Sequence, residues 1–208
     1  ARSSASLHEP AQPPGLTEPA VAAAVGAGLP DGALLYVASS MPIRDVALTW
    51  APTERRGRIA SNRGANGIDG FLSSAMGAAA AWDGPVVALG GDLSALHDLT
   101  ALAAAARLEI PVRVVIVDND GGGIFHFLPQ REHPDSFERH FGTPHGLDLA
   151  GAATALGVEA TVIDERRDLA AFVAAGGDRP AVAVVRTDRE ANVEVHRRIL
   201  RAVAGANG

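Results

Sequence analysis

Val112-Arg113-Val114-Val115-Ile116-Val117-Asp118-Asn119-Asp120-Gly121-Gly122-Gly123 is the stretch that decides the fold. Its first six residues are apolar except for Arg113 and mostly β-branched. They are too short and too branched for a buried helix, so they read as a strand covered on both faces. The strand runs into a polar, glycine-rich turn. Upstream, Val86-Val87-Ala88-Leu89-Gly90-Gly91-Asp92-Leu93-Ser94 follows the same plan, with an apolar strand, then glycine, then an acid. Ala95 to Arg107, between the two, reads as a helix. A strand–helix–strand unit crosses over right-handed, which sets the two strands parallel with their carboxyl ends at one edge.

The alternation continues outward in both directions. Thr17 caps a helix with Glu18 and Pro19 in its first turn. Ala33 to Ala38 reads as a strand, and a short helix follows Ser40 with Pro42 in its first turn. Ile59-Ala60 is a short strand entering a glycine-rich loop from Asn62 to Gly70, and Phe71 to Trp82 is an alanine-rich helix that lets a neighbour approach closely. Beyond the central unit come a helix near Leu147–Leu156, a strand near Ala160–Ile163, a helix near Arg167–Ala175 and a strand at Ala181–Val185. Thr187 with Glu190 fits a capping box for the last helix. This order predicts an α/β fold: a doubly wound, mainly parallel sheet with helices on both faces and ligands at the carboxyl edge of the strands. Residues 1–16 hold Pro10, Pro13, Pro14 and Gly15 and have linker composition, which leaves 17–208 as one domain.

Composition removes several classes of chemistry. The chain has 208 residues, no Cys and no Lys, so all 18 basic residues are Arg. Without Cys there is no disulfide framework, thiolate zinc site or iron–sulfur cluster. Without Lys there is no Schiff-base lysine and no P-loop lysine. A net charge of −6 disfavours a broad nucleic-acid-binding or anionic-membrane surface. No apolar run reaches the length of a transmembrane helix, and the first residues lack the pattern of a secretory signal. The chain does not begin with Met, which reads as a piece of something longer or a trimmed chain.

Asp92 and Asn119 lie 27 residues apart, at the ends of the two paired strands. A carboxylate and an amide emerging together suit Mg²⁺, a hard cation held by one or two protein oxygens plus phosphate oxygens. The Gly121 carbonyl is a candidate third ligand. The helix that begins near Leu93-Ser94 would turn its free N–H groups toward a diphosphate. Taken singly, Asp92 reads as an N-cap and Asn119 as a turn residue; together at this spacing they favour the diphosphate site. Ser40 reads as a helix cap. His126, His140 and His145 read as surface or structural histidines, and His97-Asp98, adjacent on a helix, cannot face each other. Asp118-Asn119-Asp120-Gly121 is not a calcium loop, because Pro129 stands where the closing Glu belongs. Gly64, Gly67 and Gly70 do not form the dinucleotide fingerprint, and Arg55-Arg56-Gly57-Arg58 reads as a solvated loop.

Gly91-Asp92 followed by Asn119-Asp120-Gly121 resembles the magnesium-diphosphate motif of thiamine-diphosphate enzymes, with Leu93 replacing that motif's last Gly and Asp118 its first Asn. Gly91-Asp92-Leu93-Ser94 is similar to one branch of them, the 2-succinyl-5-enolpyruvyl-6-hydroxy-3-cyclohexene-1-carboxylate synthases of menaquinone biosynthesis. Ser40-Met41-Pro42-Ile43-Arg44-Asp45, Ser61 to Gly70, Gly122 to Gln130 and Phe141 to Gly146 resemble further segments of that family. The resemblance implies thiamine diphosphate and Mg²⁺ (or Mn²⁺) as cofactors. It implies Asp92, Asn119 and Gly121 as metal ligands, and Gly91, Leu93, Ser94 and Ile68 beside the cofactor. Ile68 equally reads as core. It gives Ser40, Arg44, Arg63 and Phe125 to the substrate, the two arginines because a guanidinium binds carboxylates bidentately.

The implied enzyme is a cytoplasmic transferase, with no membrane span and no nucleic-acid partner. It decarboxylates 2-oxoglutarate and adds the resulting carbanion to isochorismate. Such enzymes carry two further domains, one of which holds the glutamate that activates the cofactor, and they work as homo-oligomers, at least dimers. This chain alone is therefore expected to be inactive. A decarboxylase or acetolactate-type enzyme with the same cofactor, and a non-catalytic anion-binding α/β module, are the alternatives.

Overall fold

The computed structural model describes residues 16–50, 57–62 and 66–205. In chain order the elements are α1 (Glu18–Gly28), β1 (Leu34–Val37), α2 (Met41–Thr49), β2 (Arg58–Ser61), α3 (Phe71–Ala81), β3 (Val86–Gly91), α4 (Asp92–His97), α5 (Ala101–Leu108), β4 (Val112–Asp118), a one-turn α6 (Pro134–Phe137), α7 (Leu149–Ala155), β5 (Glu159–Val162), α8 (Arg166–Ala174), β6 (Ala181–Arg186) and α9 (Arg189–Gly205). Short 3₁₀ turns at Gly123–Phe127 and Pro129–Glu132 and a π turn at Glu138–Gly142 carry the chain from β4 to α7.

The six strands form one sheet in the order β2-β1-β3-β4-β6-β5, and every pair is parallel. The period-two alternation of side chains explains the two cores. Leu35, Val37, Val87, Leu89, Val115, Val117, Ala183 and Val185 face one side and pack with Val21 and Val25 of α1 and Leu169 and Val173 of α8. Leu34, Val86, Ala88, Val112, Val114, Ile116, Val182 and Val184 face the other, against Phe71 and Leu72 of α3, Leu102 of α5 and Leu149 of α7. The expected doubly wound sheet is present, and wholly parallel. β2 leaves β1 toward one edge while β3 and β4 continue toward the other, so the strand order reverses at β1 and β3. A crevice opens at the carboxyl ends at such a switch point.

Five local expectations change. The helix expected from Ala95 to Arg107 is two, because the chain turns at Asp98 (φ −141°, ψ 38°). The Asp98 carboxylate accepts the N–H groups of Leu72 at 3.2 Å and Ser73 at 2.7 Å, capping α3 from outside. An aspartate that bonds backbone elsewhere competes with its own helix. The last helix is capped by Asp188, which accepts Ala191 N–H at 2.7 Å, rather than by a Thr187–Glu190 box. Thr187 instead turns its hydroxyl toward Glu18, at 3.4 Å. Ser40 makes no side-chain cap and sits at φ 75°. Arg58, read as loop, begins β2; Arg55 and Arg56 lie outside the described residues. Of the stretch read as linker, Leu16 is buried in the core and residues 1–15 lie outside the described residues.

Candidate active site

β3 and β4 end side by side, with Gly91 opposite Val117. The next residues therefore meet at one point on the sheet edge. Asp92 is buried. Its Oδ2 accepts the Gly121 N–H at 2.8 Å, and its Oδ1 accepts the N–H of Leu93 at 2.6 Å. The turn after β4 is held by close backbone contacts: Gly122 N–H donates to the Gly142 carbonyl at 2.7 Å, and Gly123 N–H to the Gly121 carbonyl at 2.9 Å. Gly121 has φ 131°, and a Cβ there would collide with the Gly142 carbonyl oxygen, so this turn needs glycine. Burial pushes the Asp92 carboxyl up, against the pull of the Gly121, Leu93 and His145 hydrogen bonds.

Asn119 donates from Nδ2 to Glu18 Oε1 at 2.7 Å. Its Oδ1 is buried and has no hydrogen-bond partner. A buried carbonyl oxygen without a donor is costly unless a cation or water answers it. Asp92 Oδ1 and the Gly121 carbonyl each keep a lone pair beyond the backbone bonds just given. Carboxylate, amide and backbone carbonyl make an all-oxygen donor set, which suits Mg²⁺ and not a soft metal.

A cavity of about 320 Å³ opens above these groups. Its wall brings together Ser40, Ile68, Gly91, Asp92, Leu93, Ser94, Asn119, Gly121 and Phe125, from four separate stretches of chain. Arg44 is not on that wall. It is exposed, and its Nη1 donates to the Ser40 carbonyl at 2.5 Å, which holds the backbone of that strained residue. Arg63 lies outside the described residues. The strand before it is tied down, since Tyr36 donates to Asn62 Oδ1 and Ser39 Oγ to the Asn62 carbonyl at 3.0 Å.

Two site residues were missed in the sequence. His145 is no surface histidine: its Nε2 lies 3.2 Å from Asp92 Oδ2. The Leu147 N–H donates to His145 Nδ1 at 3.0 Å, so the proton is on Nε2, which donates to Asp92. Asp92, Asp118 and His145 place ligand-type atoms within 4.8 Å of one another, but a protonated Nε2 orients the carboxylate and does not bind a metal. Asp120 secures the loop, accepting the N–H groups of Gly146 at 2.7 Å and His145 at 2.9 Å; those bonds hold its carboxyl below the usual range. Glu18 is the second. It is buried on the cavity wall, and burial, with Asp45 nearby, pushes its carboxyl up to about 7. No local signal marks either residue, since Glu18 is 101 residues from Asn119 and His145 is 53 from Asp92. His126 is buried as a structural histidine, edge-on to Phe137, and burial followed by Arg189 pulls its pKa down.

A wholly parallel sheet with a crevice at its switch point defines an α/β domain that offers a ligand site at the carboxyl ends of its strands. Residues 46–186 match the family described as thiamine pyrophosphate enzyme, C-terminal TPP binding domain, and the chain belongs to that family. It is 48% identical over 201 residues to the 2-succinyl-5-enolpyruvyl-6-hydroxy-3-cyclohexene-1-carboxylate synthase of Myxococcus xanthus, a match covering 95% of this chain and 34% of that protein. It is 43% identical over 176 residues to the same synthase of Bacillus velezensis, covering 84% of this chain and 30% of that one. The chain thus spans about a third of the length of these relatives. Among solved structures, a thiamine diphosphate-dependent 4-hydroxybenzoylformate decarboxylase of Rhodococcus jostii RHA1 superposes with a TM-score of 0.69 at 27% identity, over 87% of this chain and 34% of that one. Among the described residues no helix is long and apolar enough to cross a membrane.

Proposed function

We propose that this chain, as the single domain 17–208, is the metal- and diphosphate-binding part of a 2-succinyl-5-enolpyruvyl-6-hydroxy-3-cyclohexene-1-carboxylate synthase, a cytoplasmic transferase. The observation that carries the reading is the partnerless, buried Oδ1 of Asn119, a residue that lines the same cavity as Asp92. Similarity to synthases at 41–48% identity favours this activity over the decarboxylase reading, whose structural match stands at 27%. Asp92, Asn119 and the Gly121 carbonyl hold Mg²⁺ (or Mn²⁺), and Gly91, Leu93 and Ser94 face the diphosphate. Thiamine diphosphate, when bound, supplies a thiazolium carbon able to stabilise charge at a decarboxylating centre.

The chain's own residues bind and orient. His145 keeps the Asp92 carboxylate turned and Gly121 fixes the loop. Ile68 and Phe125 give the cavity apolar walls that exclude water. Arg44 and Arg63 meet the carboxylates of 2-oxoglutarate and isochorismate, Arg44 by leaving the Ser40 carbonyl, and Ser40 hydrogen-bonds the substrate. The remaining two-thirds of the enzyme, and a second subunit in a homo-oligomer, complete the site, so this chain alone shows no turnover. The test is steady-state kinetics of the enzyme that contains this domain, with isochorismate present. The reading expects 2-oxoglutarate to be used in preference to pyruvate, and Arg44→Ala to raise KM for a dicarboxylate substrate. Equal use of pyruvate would contradict it.

A further inference from the structure

We propose that Glu18 is a positioning residue for Asn119: its carboxylate fixes which end of the Asn119 amide faces the metal. The inference rests on the reading of Asn119 as a metal ligand. An asparagine side chain has two ends of nearly equal shape, and only the oxygen can bind a hard cation. A turn residue holding its amide the wrong way round would present two N–H groups to Mg²⁺. Here the choice is made by another element. Glu18, in the first turn of α1, accepts Asn119 Nδ2 at 2.7 Å and leaves Oδ1 without a partner. Gly123 leaves room for that end, because a Cβ there would stand 2.5 Å from Nδ2.

Helix stability does not account for Glu18. A first-turn acid can stabilise a helix without leaving solvent, and Thr17 already caps α1, accepting the Ala20 N–H at 3.4 Å. Yet Glu18 is 2% exposed, at a desolvation cost that a surface acid would avoid. Besides Asn119, the Thr187 hydroxyl, at 3.4 Å, reaches the same Oε1. That donor keeps an acceptor atom turned toward Asn119. The carboxylate therefore belongs to the outer shell of the metal site, where partners orient the ligands that touch the ion.

The test measures the Mg²⁺ concentration that gives half-maximal binding of thiamine diphosphate to the enzyme that contains this domain, by calorimetry at fixed pH, with thermal unfolding of each metal-free variant alongside. Glu18→Ala is expected to raise that concentration about 10–100-fold, the usual effect of losing an outer-shell partner. Glu18→Gln retains an acceptor oxygen without the charge and is expected to stay within a few-fold of the unsubstituted enzyme. In the Asn119→Asp background the two ends of the ligand are identical, so adding Glu18→Ala is expected to cost nothing further. An unchanged Mg²⁺ requirement in Glu18→Ala would overturn the inference. So would equal losses in Glu18→Gln and Glu18→Ala, which would mean charge alone, or equal losses from Glu18→Ala in both backgrounds, which would mean a structural role. In each of those cases Asn119 stands as a ligand. If the unsubstituted enzyme binds thiamine diphosphate without regard to Mg²⁺, the metal reading fails and the inference with it.

Discussion

Removing His196 should destabilise the domain by an amount that shrinks as pH rises. His196 on α9 and Asp45 on α2 are both buried, with Nε2 2.6 Å from Oδ1. The other ring nitrogen, Nδ1, lies 2.9 Å from the Asn192 carbonyl, which can only accept, so Nδ1 carries a proton and a second proton lies between Nε2 and Asp45. The Phe127 ring sits edge-on to the imidazole at 5.1 Å. One side chain thus joins α9, α2 and the loop after β4.

Burial works against the imidazolium, but the Asp45 hydrogen bond and charge outweigh it, helped by Glu18, and the His196 pKa is raised above 6.5. Arg44 is the neighbouring cation that acts on Asp45. A raised folded pKa gives stability that is fully present below the unfolded value and is lost as pH rises through the folded one. His196→Ala leaves Asp45 buried without its partner, a change that typically costs about 3–5 kcal/mol. For a domain of this size that is a fall in Tm of about 6–20 °C at pH 6. The assay is thermal unfolding by circular dichroism of both proteins from pH 6 to 9. The Tm difference should narrow from pH 6.5 upward. A constant or widening difference would refute the shared-proton account.

Two further outcomes follow from single contacts. Gly121→Ala puts a side chain at φ 131° and against the Gly142 carbonyl, so it should cost about 2–4 kcal/mol in strain and a lost hydrogen bond, read by urea unfolding, and weaken Mg²⁺-dependent binding. Asp98→Ala uncaps α3 and should cost about 1–2 kcal/mol, while thiamine diphosphate binding by calorimetry stays as it was.

What was legible in the sequence follows from range. Strands β3, β4 and β6 are short, largely apolar runs rich in valine, and a helix-length gap between two of them set Asp92 and Asn119 at neighbouring strand ends. Signals carried within a few residues, such as Pro19 in the first turn of α1, also pointed the right way. Several of the misreadings share one cause, a side chain that serves a distant element. Asp98 interrupts its own helix to cap α3. Thr187 gives up the capping box to reach Glu18. Glu18 and His145 hold Asn119 and Asp92 from across the fold, and no spacing rule connects residues 101 or 53 positions apart. Arg44 shows a local bond no motif announced: its guanidinium donates to a backbone carbonyl four residues away.

The central claim is that Asp92, Asn119 and Gly121 form a Mg²⁺ site for a diphosphate. Its most direct test is calorimetry of thiamine diphosphate against the chain, with and without Mg²⁺, for the unsubstituted protein, Asp92→Ala and Asn119→Ala. The account predicts binding that needs Mg²⁺ and is lost in both variants while they remain folded. Binding that ignores Mg²⁺, or survives both substitutions, would contradict it.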